Sequence, residues 1–387
     1  MARVDVSPKV LIWAAERSGK NNTIEEKFPK WSVWITEEAK PTLKQLEEVA
    51  KATFTPLGYF FLPEPPSINL SIPHFRTIGV DVPETLDPSP DLLESVETME
   101  RRQAWIREYL IEQGYDSLRF VGAKTLNHSP SEIAQEIRKE LGLESGWASS
   151  CRRWEDALRM LIQKVDDARI TVVVNGVVGN NTHRKLSVDE FRGFVLVDEY
   201  APLIFINGTD GKAAQMFTLA HELAHIWLGS SAAFDLKALQ PADERIEQHC
   251  NLVAAEFLVP AIELREIWSY AQSKTEPFQQ VAQYFKVSEI VAARRALDLK
   301  LISRDIFFSF YRDYVSFEKA KKDNQDSGGG NFYSTQTFRI GRFFAETTIR
   351  ATAEGKLLYS DAYRLTGLKG KTFTNFAKRL GMGVTYE

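Results

Sequence analysis

The sequence predicts an α+β protein in which helical modules flank a core that contains a small β-sheet. Three segments between residues 169 and 208, RITVVVNG, FRGFVLVD and APLIFING, are rich in Val, Ile and Phe and end in Gly, Asn or Asp, as short strands do. Apolar residues recur at helical spacing on either side of them, for example Leu43, Leu46 and Ala50. With 387 residues, the chain is long enough for two or three domains.

Composition and charge place the chain among ordinary globular proteins. Apolar residues make up 44% and charged residues 26%, and the net charge of −4 argues against a protein that coats nucleic acid non-specifically. The two cysteines, Cys151 and Cys250, are far apart, which fits a reducing compartment without disulfides. We see neither a signal peptide nor a stretch long enough to span a membrane. The sequence therefore predicts a cytoplasmic protein without membrane contact.

Proline content and helix signals divide the chain into modules. Prolines are dense between residues 63 and 92, where long helices cannot persist because proline lacks a backbone N–H. Further along, Ser129 and Glu132 fit a capping box that starts a helix. The predicted modules are a helix-turn-helix bundle (1–62), a proline-rich connector (63–92), the sheet-containing core with helical support (93–316), a flexible linker (317–332) and a basic helical module (333–387).

The sequence HELAH places His221 and His225 four residues apart within a helix predicted for residues 212–229. Residues i and i+4 share one face of a helix, so both imidazoles can bind a single ion. Zinc held by such ligands with one open position lowers the pKa of bound water to about 7. Glu222 would lie beside that water as the general base. The motif predicts a mononuclear zinc hydrolase of the metallopeptidase type.

A catalytic zinc site needs a third protein ligand, which is usually a carboxylate in this class. The helix predicted for residues 241–259 offers two candidates, Glu247 and His249, on opposite borders of its apolar stripe. Glu247 is favoured because its border is apolar, where a carboxylate is costly to bury unless it is paired or binds metal. Asn251, one turn beyond, is a candidate to orient a ligand, as is His249 if it does not bind the ion.

A substrate-binding strand is also predicted near the zinc helix. APLIFING (201–208) runs directly into this helix, so either it or its neighbour FRGFVLVD (191–198) is expected to be an exposed edge. An exposed edge can pair with an extended segment of a protein substrate.

FTLAHELAHIWLG (217–229), together with Glu247 and CNLVAAEFLVP (250–260), resembles the two zinc motifs of the ImmA/IrrE family of metallopeptidases. Residues 41–66 and the C-terminal module are similar to parts of the long members, which carry an N-terminal XRE/Cro-type helix-turn-helix. The resemblance implies zinc as the cofactor, a gluzincin-like core and Glu247 as the third ligand. One departure is His249, which stands where family members often have an acidic or aromatic residue.

The resemblance further implies cleavage, or metal-dependent inactivation, of a partner transcriptional repressor or antitoxin within a mobile-element, stress or defence operon. An alternative function of a different class is a DNA-binding regulator or antitoxin of such an operon, in which the metal site is vestigial or structural. Loss of activity in Glu222→Gln would separate the two.

Two regions are candidates for DNA binding. The predicted recognition segment of the N-terminal bundle carries Lys27, Lys30 and Lys40 but also Glu37 and Glu38, so homodimerisation or partner docking is favoured over DNA binding there. Residues 333–387 hold nine Lys or Arg against four Asp or Glu. A second helix-turn-helix-like segment, 278–302, is predicted to support the core.

Overall fold

Residues 3–68, 88–229, 244–322 and 332–382 are described by this computed structural model of the chain. Backbone contacts divide the chain into two compact units, residues 1–71 with 79–98 and residues 72–78 with 99–387. Most of the predicted connector, 69–87, and part of the predicted linker, 323–331, lie outside the described residues.

The first unit contains a bundle of short helices. Trp31 and Trp34, which are 5% and 3% exposed, lie in its apolar core rather than on a binding surface. The last of these helices begins with a capping box in which the Thr42 hydroxyl accepts from the Gln45 backbone N–H. The helices are α1 (Pro8–Arg17), α2 (Asn21–Lys27), α3 (Trp31–Ile35) and α4 (Leu43–Thr53), followed by a 3-10 turn (Leu57–Phe61).

Three helices precede the sheet. The capping box predicted at Ser129 is present, since Ser129 Oγ accepts from the Glu132 N–H and the Glu132 carboxylate accepts from the Ser129 N–H. The helices are α5 (Pro90–Glu112), α6 (Pro130–Glu140) and α7 (Trp154–Asp167), with a 3-10 turn (Trp147–Ser150) before α7.

The three predicted strands form one three-stranded sheet, and a separate hairpin that the sequence did not predict lies between the first and second of them. In the sheet the order is β1-β5-β4, with β1 parallel and β4 antiparallel to the central strand. The strands are β1 (Thr171–Asn175), β2 (Val177–Val178), β3 (Asn181–Lys185), β4 (Gly193–Leu196) and β5 (Leu203–Asn207), and β2 with β3 forms the hairpin.

The order of the strands decides between the two edges that the sequence predicts. β5, which is APLIFING, is paired on both sides and so is not an edge. Among the described strands, β4 pairs only with β5, so FRGFVLVD supplies an edge of the sheet.

Helices complete the second unit after the sheet. The first of them, α8, packs against β4, β5 and α9, and its side chains from Thr218 to Leu228 are all buried. The helices are α8 (Lys212–Leu228), α9 (Glu244–Leu258), α10 (Ala261–Ala271), α11 (Pro277–Phe285), α12 (Glu289–Asp298), α13 (Arg304–Lys322), α14 (Phe332–Ile340), α15 (Arg342–Ala353), α16 (Tyr359–Thr366) and α17 (Lys371–Arg379). Because α13 continues to Lys322, residues 317–322 of the predicted linker are helical.

Of the last four helices, α14 and α15 cover the β1 side of the sheet. Gly341, between α14 and α15, has φ +85°, and a Cβ there would lie 2.8 Å from Thr171 Cγ2 and 3.1 Å from the Val172 carbonyl oxygen. Only glycine lets the chain approach β1 this closely.

Arg102 of α5 joins these helices from a distant part of the chain. Its buried guanidinium donates to the carbonyls of Leu365 at 2.9 Å and Arg339 at 3.1 Å, in the last turns of α16 and α14. Burial lowers the pKa of Arg102 to about 10, which leaves the side chain charged at neutral pH. The cation therefore stabilises the carbonyl ends of two helices at once.

Asp166, at the end of α7, is a buried carboxyl group that accepts from the Val172 N–H at 3.4 Å. Burial raises the pKa of Asp166 to about 8, although hydrogen bonds from the backbone of Val172 and Phe343 and the charge of Arg342 act in the opposite direction. In the folded protein this group therefore holds a proton between about pH 4 and pH 8 that the unfolded chain releases.

We expect Asp166→Asn to flatten the pH dependence of stability. In the wild type, the folded state keeps the proton of Asp166 that the unfolded chain loses above about pH 4. The free energy of unfolding is therefore highest below about pH 4 and falls as the pH rises to about 8. The free energy of unfolding of the variant, relative to that of the wild type, should therefore increase by on the order of a few kcal/mol from about pH 5 to about pH 9. Urea unfolding at both pH values measures this, with the exposed neighbour Asp167→Asn as the control. Parallel pH profiles for Asp166→Asn and the wild type would contradict it.

Over the described residues, every helix is too short or too polar to cross a membrane.

Candidate metal centre

Two adjacent helices bring the predicted ligands together. His221 and His225 lie one turn apart on α8, and Glu247 lies on α9, which packs along α8. The two histidine side chains are buried, whereas that of Glu247 is 25% exposed and so borders solvent. Among the described residues, these three form the one cluster of His, Cys, Asp and Glu side chains whose donor atoms could hold a metal ion.

The separations of the donor atoms fit a tetrahedral ion. His221 Nε2 lies 3.1 Å from His225 Nε2 and 3.1 Å from Glu247 Oε2, and His225 Nε2 lies 3.2 Å from Glu247 Oε1. Ligand atoms about 2.0–2.1 Å from a tetrahedral zinc are about 3.3 Å apart. The three donors therefore surround a point that suits zinc.

The contact of Asn251 determines which nitrogen of His221 faces the other donors. Asn251 Oδ1 lies 3.2 Å from His221 Nδ1, and because this oxygen only accepts, Nδ1 carries the proton in the neutral ring. His221 Nε2 then presents a lone pair to the carboxylate of Glu247 and to the ring of His225. Such convergence is repulsive unless a cation lies between the atoms, so the donor set fits a metal ion.

Electrostatics favour the protonation states that metal ligands need. Burial lowers the pKa of His225, although its hydrogen bond with Glu247 acts in the opposite direction. Burial would raise the pKa of Glu247, but its close contacts with the rings of His221 and His225 outweigh burial and hold the pKa below its usual range. A neutral imidazole and an ionised carboxylate are the forms that bind zinc.

Glu222 lies beside this cluster and is 2% exposed. It follows His221 on α8, which turns its side chain away from the histidine pair and toward β4. A Cβ on Gly193 of β4 would lie 3.5 Å from Glu222 Oε1 and 2.5 Å from Thr218 Cγ2. Gly193 thus lets the edge strand approach the glutamate, and a larger side chain there would collide with Thr218 of α8.

Sequence reasoning did not identify Gly193, although a glycine inside a strand pattern is a known sign of close approach. His249, which was considered as a ligand or an orienting residue, does not join the cluster. Its ring hydrogen-bonds with the backbone of His128, and its Nε2 atom is buried away from the three donors.

The candidate DNA-contacting lysines lie on the first unit. Lys27 is exposed and its Nζ lies 5.6 Å from the centre of the Phe28 ring. Lys30 is exposed before α3, and Lys40 pairs with Asp5. No contact of these three side chains distinguishes a DNA-binding surface from an ordinary charged one.

Comparison with known families supports the resemblance over part of the chain. Residues 170–297 match the IrrE N-terminal-like domain, a peptidase-family model, and this segment spans β1 to α12 with all the residues of the cluster. Residues 340–379 match a domain of unknown function (DUF8813), which covers α15 to α17. No curated protein matches the chain. The core is therefore similar to a metallopeptidase domain.

Proposed function

We propose that the chain is a zinc-dependent metallo-endopeptidase whose substrate is a partner transcriptional repressor or antitoxin. The observation that carries the catalytic part is the convergence of His221, His225 and Glu247, with Glu222 beside them. The match of residues 170–297 to a peptidase family supports the same conclusion. The class of substrate rests on the resemblance to the ImmA/IrrE family, as do the gluzincin-like core and the N-terminal helix-turn-helix.

In this proposal His221, His225 and Glu247 hold the zinc ion. The ion would lower the pKa of a water at its open position and polarise the scissile carbonyl. Asn251 fixes the ring of His221 through the contact to Nδ1, which keeps Nε2 free to bind. Glu222 takes a proton from the attacking water and passes it to the leaving nitrogen.

β4 is suited to align the substrate beside this centre. The Arg192 carbonyl accepts from the Asn207 N–H, so Arg192 and Asn207 form a hydrogen-bonded pair. Opposed residues along an antiparallel pair of strands alternate between hydrogen-bonded and non-hydrogen-bonded, so Gly193 and Val195 fall at non-hydrogen-bonded positions. The N–H and C=O groups of Gly193 and Val195 therefore point away from β5. Of the two residues, Gly193 lies next to Glu222. The residues of β4 are buried in the free chain, so an extended substrate would pair with these groups by displacing what covers the strand.

The proposal is tested by cleavage. The purified chain, loaded with zinc, is incubated with the regulator encoded beside its gene and with a proteome-derived peptide library, and mass spectrometry detects new termini. We expect cleavage that a chelator abolishes and that zinc restores. Zinc binding without cleavage of either substrate would favour the alternative, a DNA-binding regulator with a structural metal site.

We expect Val195→Pro to weaken substrate binding without loss of metal. Proline removes the outward N–H but leaves the bonds between β4 and β5 intact. Loss of one main-chain hydrogen bond should lower kcat/KM about threefold to tenfold, mainly through KM. Val195→Ala, which keeps the N–H and loses only packing, is the control. Equal kinetic effects of the two variants would exclude pairing of the substrate with this strand.

A further inference from the structure

The end of the second unit contains two helices joined by a short turn. The turn, residues 367–370, has four residues and connects α16 to α17, with φ +72° at Gly367 and +50° at Gly370. The Tyr363 ring of α16 packs edge-on against the Phe373 ring of α17, with centroids 5.5 Å apart. Two packed helices with a glycine-containing turn of three or four residues are the arrangement of a helix-turn-helix.

α17 has two distinct faces. Phe373, Phe376 and Ala377 are fully buried in the core of these last helices. The opposite face, which we call the α17 face, is exposed and follows the spacing i, i+4, i+7 and i+8. It consists of Lys371, Asn375, Lys378 and Arg379, with Thr372 half-buried at its border. Cations, amides and hydroxyls are the groups that contact phosphates and base edges.

The charge around this face is of one sign. Residues 362–386 contain five Lys or Arg and no Asp or Glu. The acidic residues that precede them in the matched segment are already engaged with basic neighbours. These ion pairs are Arg342 with Glu346, Lys356 with Glu354, and Arg364 with Asp361. Positive charge is thus concentrated at α17 in a chain whose net charge is −4.

The other two helix-turn-helix-like segments lack such a face. In α12 of the core, Arg295 is buried, donates to the Val259 carbonyl at 3.0 Å and pairs with Glu256. This agrees with the predicted supporting role of residues 278–302. In the first unit α3 has only five residues, and the exposed Glu37 and Glu38 follow it.

We propose that the α17 face binds double-stranded DNA, with α17 as the helix that enters the major groove. The groove, about 12 Å wide, admits one α-helix, and Asn375 lies between the two lysines, where a base-reading amide is placed in such helices. Proteins that bind single strands stack bases on exposed aromatic rings, but Phe373 and Phe376 are buried. This site is independent of the zinc centre and of the proposed peptidase activity.

The test measures fluorescence anisotropy of the full chain with a labelled mixed-sequence duplex of about 30 bp, at salt concentrations from about 50 to 200 mM. We expect binding that Lys371→Ala/Lys378→Ala weakens at least tenfold, with the slope of log affinity against log salt reduced by about 2. The matched control is Lys44→Ala/Lys51→Ala, which removes the same charge at the same i, i+7 spacing from exposed positions on α4. Lys27→Ala/Lys30→Ala tests the rival surface of the first unit. Thermal unfolding checks that all three variants fold.

Recognition of a particular DNA base sequence is tested by selecting the preferred duplex from a random library. On that duplex, Asn375→Ala should lower affinity about tenfold or more while the salt slope stays unchanged. Absence of duplex binding near 50 mM salt would overturn the proposal. So would loss of binding in the Lys27→Ala/Lys30→Ala variant rather than in the α17 variant. Equal affinity for single-stranded RNA of the same length, or for phosphatidylserine vesicles, would assign the face to another anionic partner.

Discussion

Glu222→Gln should lower peptide cleavage about 10²–10⁴-fold while the zinc content stays at the wild-type level. Glutamine keeps the size of the side chain and an oxygen that accepts hydrogen bonds, but it cannot take a proton from water. Glu222 is buried beside Gly193, and a glutamine of nearly the same size fits the same space. The measurements are cleavage kinetics on a peptide from the library and elemental analysis of the purified variant.

The control for this variant is Glu266→Gln, the same chemical change at an exposed position on α10. It should leave both cleavage and zinc content unchanged. Cleavage by Glu222→Gln at the wild-type rate would show that the centre does not act as a peptidase site, and the regulator function would take its place.

Glu247→Gln should lose zinc and activity together. Its carboxylate oxygens lie 3.1 and 3.2 Å from the two histidine nitrogens, and a neutral amide is a much poorer zinc ligand. Loss of a residue that only hydrogen-bonds a metal ligand lowers metal affinity roughly 10–100-fold. Because Glu247 is itself a proposed ligand, zinc affinity should fall by more than this. Competition with a chromophoric chelator measures this affinity, again with Glu266→Gln as the control.

An unchanged zinc affinity in Glu247→Gln would contradict the assignment of the third ligand. Excess zinc should restore part of the activity of Glu247→Gln but none of that of Glu222→Gln. This difference separates loss of the metal from loss of the proton acceptor.

Local sequence signals predicted the elements that carry the site. The helical period placed His221 and His225 on one face, and the apolar border of the next helix favoured Glu247 over His249. The structure brings the three favoured residues together, and Asn251 contacts His221 as expected. That these residues bind zinc stays a prediction.

Other features depend on information that a local pattern does not contain. The sequence does not predict α10, whose N-cap is Pro260, the residue directly after the helix predicted for residues 241–259. The strand β3 was missed because its exposed residues, which include His183, lack the apolar alternation of a half-buried strand. The partners of Arg102 lie at least 237 residues away along the chain, beyond any sequence window.

Arg102 also has a consequence for how the chain matures as it is synthesised. The residues that bind its guanidinium, Arg339 and Leu365, leave the ribosome long after the sheet and α8. The β1 side of the sheet is covered by α14 and α15, which are equally late. Until then the Arg102 cation lacks its acceptor carbonyls, and the β1 side of the sheet is not covered. The sheet against which α8 packs therefore gains its cover on the β1 side only after α14 and α15 have been synthesised.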